Sequence, residues 1–100
     1  MLAAEDIEII RQIINAAFAK TDHIDVVLAE NGQEAIDTLE QQTFDIVLMD
    51  IQMPVMSGEE AIRRIRTSGK AYSSVPIIVL SANAFTEQVD EYIALGATDH

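Results

Sequence analysis

Asp50 closes the apolar run Ile46-Val47-Leu48-Met49, and the acidic pair Glu5-Asp6 closes the short apolar segment at the start of the chain. Four large apolar residues between Asp45 and Asp50 read as a strand buried on both faces, because a half-exposed strand would alternate with polar residues. Two such strand ends deliver three carboxylates to one place. In open parallel sheets ligands bind in the crevice beyond the carboxyl ends of the strands, so acids gathered there are candidates for metal binding or nucleophilic chemistry. A single acid in that position is more simply a solvated residue ending a strand. Three acids at corresponding strand ends shift the balance toward a site.

The elements that must position these acids alternate along the chain. Leu2 to Ala4 is a short strand. From Ile7 to Lys20, Ile10, Ile13, Ile14, Ala17 and Phe18 follow helical spacing, with Asp6 placed to cap the amino end. Ile24 to Ala29 is rich in β-branched residues and reads as a second strand. Asn31-Gly32-Gln33-Glu34 then has a cap residue with Glu three positions on, opening a helix whose Ala35, Ile36 and Leu39 face inward. After the strand Asp45 to Asp50 and a loop through Pro54, Ser57-Gly58-Glu59-Glu60 is another capping box, opening a helix with Ala61, Ile62 and Ile65. Gly58 reads as a turn residue at that helix start. Thr67 to Ser74 is a loop, Pro76 to Leu80 a fourth buried strand ending at Ser81, and Thr86 to Leu95 a fourth helix stopped by Gly96. The pattern βαβαβαβα implies right-handed crossovers and a parallel sheet with helices on both faces.

Composition narrows the function classes. One hundred residues make one domain, 1–100, small for a five-stranded α/β unit. Seventeen acids against six bases leave a formal charge of −11, which disfavours nucleic acid or an anionic membrane surface as partner. The same balance is compatible with a divalent cation, although most of those acids serve as solvated helix faces. The absence of cysteine excludes disulfides and thiol chemistry. No apolar stretch approaches the roughly twenty residues needed to span a bilayer, and the amino terminus lacks a basic segment followed by a hydrophobic one. A cytoplasmic location is expected, including as part of a membrane-attached protein. Met49, Met53 and Met56 hint at soft-metal binding, but with His23 and His100 isolated and no Cys they read as core and loop filling.

From Leu2 to His100 the chain resembles the receiver domain of two-component response regulators. The resemblance rests on Glu5-Asp6 after the first strand, on Leu48-Met49-Asp50-Ile51-Gln52-Met53-Pro54 with Gly58 downstream, and on Pro76-Ile77-Ile78-Val79-Leu80-Ser81-Ala82-Asn83-Ala84. The wording Ala29-Glu30-Asn31-Gly32-Gln33-Glu34-Ala35 and Asp50-Ile51-Gln52-Met53-Pro54-Val55-Met56 is most similar to receivers of hybrid sensor histidine kinases. The resemblance implies a flavodoxin-like, doubly wound parallel sheet of strand order 2-1-3-4. It implies that Asp50 is a phosphoacceptor attacking the phosphorus of a phosphohistidine on a histidine kinase or histidine phosphotransfer domain. Such a domain is self-phosphorylating rather than a turnover enzyme.

The remaining roles also follow from the resemblance. Phosphoryl transfer is mostly positioning plus neutralisation of charge on the equatorial oxygens, so an anionic nucleophile needs a dication beside it. Mg²⁺ takes a few protein oxygens and keeps several waters. Asp6 and Asp50 would be direct ligands, Glu5 would act mainly through water, and the main-chain carbonyl of Gln52 would complete the set. Without the metal, the close carboxylates should raise one another's proton affinity. Ser81, through its hydroxyl, and the amide of Ala82 would hold a phosphoryl oxygen. Without Asp50 in the same fold, Ser81 would read simply as a residue ending a strand. Pro54 shapes the loop backbone through its fixed φ.

The chain departs from the family pattern at three places. Ile7 and Ile10 stand where hybrid-kinase receivers often have Asn, which changes the rim of the site without removing a ligand. Ser57 replaces a frequent Asp and serves equally as a cap. In the family a fifth strand carrying a lysine and an aromatic, then a fifth helix, follows the position of His100; neither is in this sequence. Lys20 at the far end of the first helix and Lys70 in the loop before the fourth strand are not placed to substitute. The strand Pro76 to Leu80 is then expected to be an unpaired hydrophobic edge, inviting a homodimer or a swapped dimer, in a chain that is a fragment, a truncated product or completed by a second copy. The alternative function is accordingly a non-catalytic, receiver-like interaction or dimerisation module. A metal-dependent phosphohydrolase would want an acid where Gln52 stands, and flavin binding is opposed by the acidic first loop.

Overall fold

The computed structural model describes residues 1–19, 25–80, 93–94 and 96–98. The elements are β1 (Leu2–Ala4), α1 (Glu8–Phe18), β2 (Val27–Ala29), α2 (Gly32–Gln41), β3 (Val47–Asp50), α3 (Gly58–Arg66) and β4 (Ile77–Leu80). The four strands form one parallel sheet in the order β2-β1-β3-β4, the doubly wound flavodoxin-like arrangement the sequence leads one to expect. Of the expected helix Thr86 to Leu95, Ile93 and Ala94 are helical and the rest lies outside the described residues, as do Lys20, His23 and His100.

One face of the sheet carries most of the core. Leu2 and Ala4 of β1, Val47 and Met49 of β3, and Ile77 and Val79 of β4 are buried against Ala35 and Leu39 of α2 and Ala61, Ile62 and Ile65 of α3. Each fully buried large aliphatic side chain stabilises by roughly 1.5–3 kcal/mol. The exposed pairs of Glu60 with Arg63 and Arg64 are screened and worth little beside that, so burial is what holds α3 in place. Leu48 and Ile78 alternate to the other face and are only half-buried, so the burial expected on both faces of β3 is complete on one.

The caps expected at Asn31 and Ser57 form: Asn31 Oδ1 accepts from the Glu34 amide at 2.8 Å, and Ser57 Oγ from the Glu60 amide at 3.2 Å. On α1, Ile14 is buried and Ile10 and Phe18 are half-buried, but Ile9 (63% exposed) and Ile13 (61% exposed) lie on the outer face. Ile13 and Ala17 follow the helical spacing but are exposed, and the buried stripe is the narrower one through Ile10 and Ile14.

The outer edge of β4 is not wholly open. The Thr98 amide donates to Ile77 O at 2.7 Å, and Thr98 Oγ1 accepts from the Ile77 amide at 3.0 Å. This return is held by Arg66, whose guanidinium donates to Gly96 O, Ser73 O and Val75 O at 2.7, 3.0 and 2.7 Å. The expected unpaired edge is thus corrected at Ile77. Thr98 uses both its backbone and its side chain there, a local pairing that apolar patterning does not reveal.

Candidate functional site

Register explains how two distant acidic segments meet. Ala4 of β1 pairs with Met49 of β3 and with Ala29 of β2, so the next residues, Glu5 and Asp50, leave adjacent strand ends side by side. Carboxylate oxygens of Glu5, Asp6 and Asp50 all lie within 4.8 Å of one another. Glu5 is only 3% exposed, while Asp6 and Asp50 are half-buried. Glu5 Oε1 accepts from the Ile7 amide at 3.2 Å, and Asp50 Oδ1 accepts a long bond from the Gln52 amide at 3.4 Å.

Asp6 does not cap α1. The cap position falls to Ile7, which offers no side-chain acceptor, and Asp6 contributes its carboxylate to the acidic group instead. Asp6 Oδ1 is buried without a hydrogen-bond partner among the described residues. A buried polar atom left unpaired costs free energy, and an orphaned carboxylate oxygen costs more. Three hard oxygen donors, one of them unpaired, fit a small divalent cation with a preference for oxygen.

The electrostatics show what is stored there. The Glu5 carboxyl is pushed up to about 7, chiefly because burial penalises its charged form, with the charge of Asp50 adding to the rise and the Ile7 amide opposing it. Asp50 is also raised, again chiefly by burial, with Asp6 adding repulsion and hydrogen bonding from Glu5 and the Gln52 amide opposing. The expected mutual repulsion is present, but desolvation is the larger cause at both positions.

A pH dependence follows. Because folded Glu5 titrates near 7 against 4.5 for the unfolded group, the native state binds the extra proton between those values. Stability from this group is therefore full below about pH 4.5 and is lost as pH rises toward 7, by on the order of 3 kcal/mol. Urea midpoints in chelator should fall between pH 5 and 8, and Glu5→Gln should flatten that fall. A slope unchanged by Glu5→Gln would contradict the assignment.

The loop after β3 is pinned at several points. Gly58 N–H donates to Ile51 O at 2.9 Å, and the Met56 carbonyl accepts from the Gly32 amide at 3.0 Å. Between them the Met56 amide reaches back to Pro54 O at 2.6 Å, a γ-turn around Val55 with φ of 66°. A β-branched residue is strained in that region, and Val55 is 83% exposed, so its side chain returns little by burial. Val55→Asn should raise stability by about 1 kcal/mol, because Asn tolerates positive φ; an unchanged or lowered melting temperature would show that the turn carries no such strain.

Gly58 has a role that reading it as a turn residue misses. A Cβ on Gly58 would sit 2.0 Å from the Asp50 carbonyl oxygen, so the start of α3 lies directly on the backbone of the central acid. The available signal was a glycine inside a helix's first turn, where it lowers helix propensity and so calls for a packing reason. Met49 is fully buried, Met56 buried and Met53 half-buried, which agrees with core and loop filling. Gln52 has its backbone beside Asp50 through the 3.4 Å contact. Ser81 and Ala82 lie outside the described residues, although Leu80, which precedes them, pairs with Asp50 in the sheet.

The sequence model of the response regulator receiver domain matches residues 1–100. The two-component response regulator ORR41 of Oryza sativa subsp. japonica is 42% identical over 102 residues, covering 99% of this chain and 78% of that protein. The sensor protein GacS of Pseudomonas syringae pv. syringae is 37% identical over 78 residues, which are 76% of this chain but 9% of that protein. Among solved structures, the Francisella response regulator 1452 receiver domain superposes with a TM-score of 0.89 at 30% identity, covering 98% of this chain and 78% of that one. The receiver domain of sensor histidine kinase PA1611 from Pseudomonas aeruginosa PAO1 superposes with a TM-score of 0.86 at 33% identity, covering 98% of this chain and 79% of that one. That structure has a magnesium ion coordinated in its active site cleft.

Proposed function

The chain belongs to the response regulator receiver domain family of two-component signalling, and from that membership we propose that Asp50 accepts a phosphoryl group from a phosphohistidine, with Mg²⁺ held by Glu5, Asp6, Asp50 and the main-chain carbonyl of Gln52. The observation that carries this reading is the convergence of three carboxylates within 4.8 Å, one with an orphaned buried oxygen, around the acid that ends β3. Mg²⁺, when bound, supplies charge neutralisation for the three acids and for the equatorial phosphoryl oxygens.

The chain's own residues do the rest. A carboxylate oxygen of Asp50 forms the bond to phosphorus as the bond to the donor imidazole nitrogen breaks, and neutral imidazole leaves with the proton its other ring nitrogen already carried in the phosphohistidine. Because burial and neighbouring acids raise the proton affinity of Asp50, a bound cation favours its ionised, nucleophilic form. Ser81 and the Ala82 amide take a phosphoryl oxygen beyond the end of β4. The exposed apolar side chains Ile7, Ile9 and Ile13, at the start of and along α1, and Val55 in the loop after β3 suit an apolar patch on a histidine kinase or histidine phosphotransfer partner. The formal charge of −11 argues against nucleic acid as a partner of this domain.

Among the described residues no helix is long and apolar enough to cross a membrane. We place the domain in the cytoplasm, alone or carried by a membrane-attached hybrid kinase. A second reading, a homodimer through β4, draws on the alternation that sends the Val79 amide and carbonyl to the same outer edge as those of Ile77. Light scattering decides it: a monomer at every concentration removes the dimer.

The test of the leading reading is intact-mass analysis after incubation with Mg²⁺ and acetyl phosphate or phosphoramidate. One added phosphoryl group, lost in chelator and trapped at Asp50 by borohydride reduction, is the expected result. A folded, Mg²⁺-binding chain that gains no mass would leave the interaction module as the better description.

A further inference from the structure

Arg11 is a half-buried cation that the phosphoryl chemistry does not use. Its side chain is 15% exposed, and it turns back from the end of the first turn of α1 onto the end of β1. One guanidinium nitrogen donates to the main-chain carbonyl of Glu5 at 2.9 Å, and the other lies 3.4 Å from Glu30 Oε1, in the connection between β2 and α2. The Glu30 carboxylate is largely exposed, so that ion pair contributes little; the bond to the carbonyl is the contact of consequence. Glu5 N–H is already fixed on Ala29 O at 3.0 Å.

The carbonyl that Arg11 holds belongs to the peptide unit joining Glu5 to Asp6. That unit is planar and carries one acid of the cluster on each side, so a turn about the single bonds that flank it swings the carboxylates relative to Asp50. Three carboxylates within 4.8 Å repel one another and Asp6 Oδ1 has no partner among the described residues, so such a turn is favoured when no cation is present. We propose that Arg11 is a positioning residue for the cation site: by holding the Glu5 carbonyl it locks the Glu5–Asp6 peptide plane so that both carboxylates face Asp50 before the metal arrives. This rests on the reading of Glu5, Asp6 and Asp50 as metal ligands. Groups that orient ligands without touching the metal typically change affinity by about 10–100-fold when removed.

The experiment measures the Mg²⁺ dissociation constant by calorimetry for the wild-type chain, Arg11→Ala, Arg11→Lys and Glu30→Gln, each below its own melting temperature. Phosphorylation at saturating Mg²⁺ is recorded in parallel. Arg11→Ala should weaken Mg²⁺ binding by about tenfold. Arg11→Lys should fall between it and wild type, because one ammonium replaces a two-armed guanidinium. Glu30→Gln should shift affinity by less than about twofold, since it leaves the Glu5 carbonyl held. At saturating Mg²⁺ the labelling rate should return to within about twofold of wild type, the ion then imposing the geometry that Arg11 otherwise prepares. A residue that only supports the fold would lower the melting temperature and leave the dissociation constant of the folded protein unchanged, and that outcome overturns the proposal. Should Arg11→Ala melt below the assay temperature, wild-type affinity in Arg11→Lys overturns it equally. Failure of the wild-type chain to bind Mg²⁺ at all is a different result, and it removes the ligand assignment itself.

Discussion

Asp50→Asn should take up no phosphoryl group from acetyl phosphate or phosphoramidate under conditions that label the wild-type chain completely, and it should remain folded. Asn keeps the shape of the side chain and its place at the end of β3, where the Gln52 amide approaches at 3.4 Å. It removes the anionic oxygen that attacks phosphorus, and no arrangement of the neighbours restores it. The same substitution relieves the cluster. Asp50 is one of the groups whose charge raises Glu5, so neutralising it should bring Glu5 back toward its ordinary value and lessen the loss of stability between pH 5 and 8. Above neutral pH in chelator the variant should be more stable than wild type by about 1 kcal/mol. Labelling of Asp50→Asn at the wild-type rate would move the phosphoacceptor elsewhere. A variant less stable than wild type at pH 8 would mean that the Asp50 charge is satisfied by contacts other than those seen here.

Much of this site was legible in the sequence because a parallel sheet converts strand ends into neighbours. Once Leu2 to Ala4 and the run before Asp50 are strands of one sheet, Glu5, Asp6 and Asp50 have to meet, and they do. The caps at Asn31 and Ser57 were equally readable, since a cap is local chemistry over four residues. Asp6 was misread as a cap for the same reason: an acid just before an apolar helix meets the local rule, but tertiary placement gave it to the carboxylate cluster. The pairing of Thr98 with Ile77 and the hold of Arg66 on Gly96 depend on contacts across 21 and 30 residues. No periodicity encodes contacts of that kind. Arg11 shows the same limit. It reads as a polar position on an amphipathic helix, and only the fold turns its guanidinium onto the Glu5 carbonyl.

Gly58 is where steric and intrinsic preferences oppose each other most clearly. Gly58→Ala places a methyl group in the first turn of α3, where helix propensity alone would favour Ala by about 1 kcal/mol. The new Cβ would lie 2.0 Å from Asp50 O, 2.8 Å from Asp50 C and 2.9 Å from Ile51 Cα. All three are backbone atoms of β3 and its exit, so no side chain can swing aside. Either α3 moves off the sheet, uncovering Ala61, Ile62 and Ile65, or the end of β3 shifts and carries Asp50 with it. Both routes also strain the bond from the Gly58 amide to Ile51 O. Close packing makes such a clash expensive, and a loss of at least about 3 kcal/mol is expected in urea unfolding. The variant that remains folded should also label more slowly at saturating Mg²⁺, because a displacement of about 1 Å is enough to spoil an in-line attack. If Gly58→Ala instead raised stability by the amount helix propensity predicts, α3 would have to stand farther from Asp50 than the structure places it, and the orientation of the nucleophile would need another support.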